Sequence, residues 1–243
     1  VVLNEKKELI LEFVQPTGWS SVDTAEEIRQ KLEFAGINLS NESSHCVATG
    51  YGRISVPYAD KTVTEITCHA LGAVHLFQQP DLTVIDIGGQ DTKIIQIEQG
   101  FVKDFIMNDK CAAGTGRFLE VMANTLSLRP NEMFDLARLG SDTTISSMCT
   151  VFAESEVIGL IGKGEPKENI AYAVVNSTIR KVAAQVSRMN GEMFTFCLTG
   201  GLCECDYIRE ALSKELGKDV FSCPDARYAG AIGAALSAMK VRR

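Results

Sequence analysis

Short apolar runs alternate with amphipathic helical patterns through the first third of the chain. Apolar positions on either side of a polar turn at residues 4–7 are typical of two short paired strands. A later segment has helical periodicity, begins with serine and ends with glycine, as helix termini commonly do. The elements predicted here are strands within 1–14 and at 46–50, and helices at 20–36 and 60–77.

The pattern changes at Pro80. Three β-rich runs separated by glycine-containing turns predict an antiparallel meander at residues 82–89, 92–100 and 101–107. The helices predicted after them cover residues 115–127, 131–139, 150–162, 167–189, 204–216 and 226–240. Further strands are predicted at 193–201 and 219–224. This order of elements predicts a mixed α/β fold with a domain boundary near Pro80.

Composition excludes several classes of function. The 243 residues are 45% hydrophobic and 23% charged, which is typical of a globular protein. The formal net charge is −7 and no basic run occurs, so nucleic acid is not an expected partner. No apolar run approaches the ~18 residues that span a bilayer, so no membrane association is expected. Since no signal-like segment begins the sequence, a cytoplasmic location is expected.

The segment DIGGQD, residues 86–91, joins two apolar strands. Gly88 and Gly89 allow the backbone to approach a ligand closely and to present N–H groups to phosphate oxygens. Asp86 and Asp91 are candidate Mg²⁺ ligands. Gln90 is a candidate for orienting a water that attacks phosphorus. A plain hairpin turn explains the same residues, and the segment alone does not separate the two interpretations.

The segment LTGGL, residues 198–202, repeats this logic. Its glycines, Gly200 and Gly201, end an apolar strand and precede a helix, so a nucleotide base or ribose has room to lie against the loop. Such turns are common when taken singly. Two glycine-paired loops, together with the small-residue segment GAIGAAL near the C-terminus, indicate a nucleotide site more strongly.

Six motifs occur in the order TGYGR, DIGGQDTK, NDKCAAGTGRF, CTVFAESEV, TGGL and GAIGAAL. This set resembles the activator ATPases, or component A, of 2-hydroxyacyl-CoA dehydratases and the similar ATPase subunits of benzoyl-CoA reductase. Both belong to the superfamily of acetate and sugar kinases, actin and heat-shock chaperones. The resemblance covers about residues 1–240. The two cysteine motifs are its most distinctive part, because the wider superfamily lacks them.

The resemblance implies a two-domain actin-like ATPase fold, related to ribonuclease H. The first subdomain is expected at residues 1–80 plus 225–243, and the second at 81–224. It further implies ATP/ADP and Mg²⁺ as ligands, and one 4Fe-4S cluster shared by a homodimer through Cys111 and Cys149 of each chain. The implied partners are a 2-hydroxyacyl-CoA dehydratase or a related reductase component, with reduced ferredoxin or flavodoxin as electron donor.

The cysteines agree with this expectation. A cubane cluster needs four thiolates, and two chains related by a two-fold axis supply four from Cys111 and Cys149. Each cysteine precedes a predicted helix, whose N-terminus carries partial positive charge that stabilises thiolates. Two buried thiols are the alternative interpretation. A second metal site is a weaker hypothesis, because C-x-C matches zinc spacing poorly; its ligands would be Cys197, Cys203, Cys205 and Cys223.

Two further assignments stay open. Glu154 and Glu156 either contact the nucleotide or its magnesium, or simply favour a helix N-terminus. Arg53 of TGYGR pairs with a phosphate or with a carboxylate.

The chain also departs from the superfamily pattern. A first phosphate loop of the form D-x-G-S/T is not found, so the chain as given is expected to hydrolyse ATP poorly. The alternatives to an electron-transferring activator are an ATPase subunit of a benzoyl-CoA reductase-type complex, a small-molecule kinase and a redox-regulatory ATPase. The cysteine motifs argue against the kinase, which needs no cluster.

Overall fold

The computed structural model describes residues 1–146, 149–191 and 194–241. The chain forms two compact units. The first combines Val1–Gln79 with Gly100–Val102 and the residues from Tyr228 onward, and the second contains Pro80–Gln99 and Lys103–Arg227. Within the described residues, no helix has both the length and the apolar character that crossing a membrane requires.

The elements largely follow the predicted order. The strands are β1 (Val2–Leu3), β2 (Leu9–Leu11), β3 (Val47–Ala48), β4 (Lys61–Thr62), β5 (Leu82–Ile87), β6 (Thr92–Glu98), β7 (Phe101–Asn108), β8 (Thr195–Gly200) and β9 (Val220–Phe221). The helices are α1 (Ser21–Phe34), α2 (Glu65–Phe77), α3 (Gly116–Thr125), α4 (Pro130–Ala137), α5 (Thr150–Gly162), α6 (Lys167–Val186), α7 (Asp206–Leu216) and α8 (Ala229–Ala238). Met193, with which the predicted strand 193–201 begins, lies outside the described residues.

The predicted helix at 60–77 begins later than expected. Residues Lys61–Thr62 form β4, which pairs in parallel with β3, and α2 starts only at Glu65. Hydrogen bonds between Asp60 and Cys46 explain the difference, because the Asp60 N–H donates to the Cys46 carbonyl oxygen over 2.8 Å. The Cys46 N–H in turn donates to Asp60 Oδ2 over 2.8 Å. This pairing holds the segment extended against β3, which helical periodicity in the sequence could not reveal.

Small residues allow α2 and α8 to pack closely within the first unit. A Cβ atom on Gly72 would lie 1.8 Å from the Ala229 carbonyl oxygen, and one on Gly233 would lie 1.7 Å from the Cys68 carbonyl oxygen. Side chains at these two positions would therefore force the helix backbones apart. The GAIGAAL segment thus serves helix packing in this unit.

A five-stranded sheet organises the second unit, in the order β7-β6-β5-β8-β9. Strand β5 is antiparallel to β6 and parallel to β8, and its six residues are all buried. Central strands that are covered on both faces are expected to be continuous apolar runs. The sequence LTVIDI of β5 is apolar at most positions, and TKIIQI of β6 is apolar at half of them. The polar exceptions in these strands mark the candidate site.

Candidate functional site

The two predicted glycine loops meet at one edge of the central sheet. Strands β5 and β8 are parallel and in register, with Ile87 opposite Gly200. Their carboxyl ends therefore lie side by side, and Gly88–Gly89 and Gly200–Gly201 follow directly. Ligands of open α/β sheets commonly bind beyond the carboxyl ends of the strands.

Backbone geometry explains why these positions are glycines. Gly200 has φ +83°, and a Cβ there would lie 2.6 Å from the Ile87 carbonyl oxygen. Around Gly89 and Gly201, by contrast, no atom of the described residues lies within 4 Å of an added Cβ. One glycine thus packs against β5, while the other two leave open space beside the backbone. That open space is where a ligand can approach the loops.

Asp86, Asp91 and Lys93 form a buried charged group next to these loops. Lys93 Nζ lies 2.5 Å from Asp91 Oδ1 and 3.2 Å from Asp86 Oδ2, although the lysine is only 1% exposed. The Thr199 hydroxyl donates to Asp86 Oδ1 over 2.9 Å. The structure therefore brings the two predicted carboxylates together, with a lysine that the sequence motif did not single out.

One carboxylate oxygen of this group lacks a hydrogen-bond partner in the described residues. Asp91 Oδ2 is buried and has no hydrogen-bond partner among the residues that the structure describes. A buried carboxylate oxygen without a donor is costly, and a cation or a bound water removes the cost. Hard oxygen ligands are those that Mg²⁺ prefers. The residues present therefore fit the Mg²⁺ that a nucleotide brings, with Asp91 as the first candidate ligand.

The N-terminus of α3 lies against the first glycine loop. The Gly116 N–H donates to the Gly88 carbonyl oxygen and the Arg117 N–H to the Gly89 carbonyl oxygen, each over 2.9 Å. A Cβ on Gly116 would lie 3.2 Å from the Gly88 oxygen, so the close approach favours glycine there. The GTG turn of the cysteine motif therefore supports the first glycine loop.

A cleft of about 420 Å³ opens beside Gly89 and Gln90. Its volume falls within the range typical of small-ligand sites. Gln90 is exposed and faces this space, as the predicted role in orienting water requires. Other lining residues come from α3, from α4 and its N-cap, and from the loop after β8: Arg117, Asn124, Arg129, Phe134 and Leu202.

The two predicted cluster cysteines are both exposed and both lie in the second unit. Cys149 is the N-cap residue of α5, so it precedes a helix as predicted. Cys111 does not, because α3 begins five residues later at Gly116. Instead, the side-chain amide of Asn108 donates to the Cys111 carbonyl oxygen over 2.9 Å and stabilises the loop that contains Cys111. The expected helix-end stabilisation therefore applies to Cys149 alone.

Comparison with protein families gives a match over residues 1–238 to the BadF/BadG/BcrA/BcrD ATPase family. The chain belongs to this family. The (R)-2-hydroxyglutaryl-CoA dehydratase activating ATPase of Acidaminococcus fermentans is 42% identical to it over 245 residues, covering 99% of this chain and 92% of that protein. One of the subunits of Thauera aromatica benzoyl-CoA reductase is 31% identical over 212 residues, covering 84% of this chain and 74% of that protein.

Two solved structures of similar proteins share the fold. The crystal structure of the Acidaminococcus fermentans (R)-2-hydroxyglutaryl-CoA dehydratase component A gives a TM-score of 0.82 at 43% identity, covering 92% of this chain and 86% of that one. The structure of the 2-hydroxyisocaproyl-CoA dehydratase activator of Clostridium difficile with bound ADPNP gives a TM-score of 0.80 at 33% sequence identity. The match covers 97% of this chain and 89% of that one. The predicted resemblance and the actin-like α/β ATPase fold are confirmed.

The hypothesis of a second metal site in this BadF/BadG/BcrA/BcrD ATPase gains no support. Burial raises the pKa of the Cys197 thiol to about 12 and that of Cys203 to about 11. Burial also raises the pKa values of Cys205 and Cys223. Burial therefore disfavours the thiolate, the form that binds metals, at these four positions as long as no metal is present. In the described part of the chain they also do not gather into a ligand cluster.

The glutamates of FAESEV have internal partners. Glu154 Oε1 accepts from the Thr125 hydroxyl at the end of α3 over 3.1 Å. Glu156 accepts from the Ser146 N–H over 3.1 Å, just upstream of Cys149. Both contacts favour a structural role for this pair. In the first unit, Arg53 Nη1 donates to the Gly50 carbonyl oxygen over 3.0 Å and thus stabilises its own turn.

Thiol reactivity is expected to separate the exposed cysteines from the buried ones. At pH 8, a thiol with a pKa near 12 is ionised in only about one molecule in 10⁴, and only the thiolate reacts. Iodoacetamide should therefore label Cys111 and Cys149 of iron-free protein at least ~100-fold faster than Cys197. Peptide mass spectrometry over time measures the rates. Comparable rates for all three would contradict the difference in burial between Cys197 and the two exposed cysteines.

Proposed function

We propose that this chain is an ATP-dependent activator that passes a low-potential electron to a 2-hydroxyacyl-CoA dehydratase. One observation carries the proposal: exposed Cys111 and Cys149 lie in the same compact unit as two glycine loops that end neighbouring strands. A nucleotide site and a pair of available thiols are what such an activator combines. Relatives that carry the activator name span nearly the whole chain.

Cys111 and Cys149 fit an iron–sulfur cluster shared between two copies of the chain. Both thiols are exposed, so a symmetry-related chain can reach them, and two chains supply the four thiolates of a 4Fe-4S cluster. When bound, the cluster supplies one-electron transfer at low potential. Cys149 is the N-cap residue of α5, so a ligand bound there lies beside the partial positive charge of the helix N-terminus.

The glycine loops are proposed to hold ATP or ADP. The open sides of Gly89 and Gly201 admit phosphates or ribose close to the backbone. Asp86 and Asp91 position Mg²⁺, and Gln90 orients the attacking water from its exposed place at the cleft. We further propose that the two compact units correspond to the two subdomains of an actin-like ATPase, with the nucleotide loops and cluster cysteines in the second.

A hydrogen bond between helices joins the two halves of this site. Helix α3 starts against the first glycine loop, and α5 starts at Cys149. The Thr125 hydroxyl of α3 donates to Glu154 of α5. A shift of the glycine loop on hydrolysis would move α3, and this contact would pass the shift to α5 and Cys149.

The electron balance requires a donor and an acceptor. Reduced ferredoxin or flavodoxin is proposed to supply one electron, which the dehydratase receives, while ATP and water become ADP and phosphate. A reducing cytoplasm suits this chemistry and keeps the cysteines free. The alternative partner is a benzoyl-CoA reductase-type complex, since a component of such a reductase is a more distant relative.

Anaerobic purification of the full-length protein tests the proposal. We expect about four irons and four sulfides per two chains, a dimer mass, and ATP-dependent electron delivery to an added dehydratase. A separable homodimer supports the activator role, whereas a stable hetero-oligomer supports the role of a reductase component. Protein that stays colourless and iron-free after anaerobic reconstitution would contradict both.

A further inference from the structure

A buried lysine accompanies the carboxylates of the proposed nucleotide site. Lys93 lies on β6 directly opposite Asp86 on β5, so the sheet register points its side chain at the acidic pair. The Lys93 side chain is 1% exposed, and its ammonium lies within 3.2 Å of an oxygen of each carboxylate. A charged amine buried this deeply survives only when paired, so the contacts are needed for Lys93 to remain charged.

The formal charges of this group do not cancel. Two carboxylates and one ammonium sum to −1, and all three side chains are buried. Asp91 Oδ1 is occupied by Lys93, but Asp91 Oδ2 has no hydrogen-bond partner within the described parts of the chain. Asp91 Oδ2 is thus an available ligand atom beside a carboxylate oxygen that the lysine already holds, which suits a cation. Removing the ammonium would take one positive charge away from both carboxylates, so a cation would bind them more strongly.

We propose that Lys93 is a positioning residue that holds Asp86 and Asp91 in place and weakens their binding of a free divalent cation. This inference rests on the proposed nucleotide site. The ammonium competes with a metal ion for the same carboxylate oxygens. A metal that arrives with a nucleotide brings phosphate ligands of its own and depends less on the protein carboxylates. Lys93 thereby favours the metal–nucleotide complex over the bare metal.

The test replaces Lys93 with methionine, which keeps the length of the side chain and removes its charge. Lys103→Met is the matched control, since Lys103 lies on the adjacent strand β7 and pairs with Glu98 at the surface over 2.7 Å. Electron paramagnetic resonance of free Mn²⁺, without nucleotide, measures the affinity. We expect Lys93→Met to bind Mn²⁺ at least roughly tenfold more tightly than wild type, and Lys103→Met to be unchanged. The further substitution Asp91→Asn should abolish the gain.

Folding is measured in parallel by circular dichroism. If Lys93→Met is unfolded in chelator, Mn²⁺ is expected to restore its fold, because the cation replaces the lost positive charge. A folded variant with wild-type Mn²⁺ affinity, or a variant unfolded both with and without Mn²⁺, would overturn the proposal and leave Lys93 a structural residue only. The assay uses no ATP, iron or dehydratase, so failure of the proposed function leaves its outcome readable.

Discussion

Replacing Cys111 with serine is expected to reduce the iron content of the anaerobically purified protein from about four atoms per two chains to nearly none. The effect is large because of symmetry. If two chains share the cluster, one substitution removes two of its four thiolates at once. A serine hydroxyl is far less acidic than a thiol and binds iron much more weakly, so it does not compensate for the lost thiolates. Cys149→Ser is expected to give the same result.

The matched control is Cys223→Ser. Cys223 lies in the same unit, but it is half-buried and burial raises the pKa of its thiol. Iron content should therefore be unchanged in this variant. ADP affinity should be retained in Cys111→Ser, since neither glycine loop includes that residue. Iron and sulfide assays with calorimetric ADP titration measure both quantities. Full iron content in Cys111→Ser would show that the ligand set is wrong.

Local sequence patterns were sufficient to predict the two glycine loops. Both loops follow apolar strands and contain paired glycines, and such signals are complete within a few residues. That Asp86 lies beside Thr199 depends on pairing between strands 113 positions apart. The order of strands in the sheet depends on contacts between distant parts of the chain, so it cannot be predicted from one local segment.

Lys93 shows why part of the site could not be predicted. A lysine in a strand is ordinarily expected at the surface, since burying its charge is costly. Its burial follows from the register that places it opposite Asp86, and from Asp91 two residues earlier. The sequence does hold one signal that could have identified Lys93. Acidic and basic residues occur together within DIGGQDTK, although buried apolar strands seldom contain charged residues.

The position of Cys111 illustrates a different limit. Its sequence motif places the thiol next to a glycine turn, and Gly116 of that turn contacts the Gly88–Gly89 loop. Gly114 takes φ +87°, which directs the chain away from a simple helix start. The motif therefore contains two features in adjacent residues, an exposed thiol and a turn that contacts the first glycine loop, and only the folded backbone separates them.

Gly200→Ala is expected to destabilise the protein by roughly 3 kcal/mol or more. Alanine is strained at φ +83°, and its Cβ would lie 2.6 Å from the Ile87 carbonyl oxygen and 2.7 Å from Asp86 Oδ1. Either β8 must move away from β5 or Asp86 must leave its contacts with Lys93 and Thr199. Both changes disturb the proposed nucleotide site, so ADP affinity should fall together with stability.

The neighbouring Gly201→Ala separates folding from binding. No described atom lies within 4 Å of a Cβ added at Gly201, so its free energy of unfolding should change by no more than about 0.5 kcal/mol. If the nucleotide lies against this loop, however, the added methyl group occupies its space and ADP affinity should fall. Urea denaturation and calorimetric titration of both variants provide the comparison. If a stable Gly201→Ala variant binds ADP with wild-type affinity, the nucleotide does not lie against this loop, because the added methyl group would otherwise weaken binding.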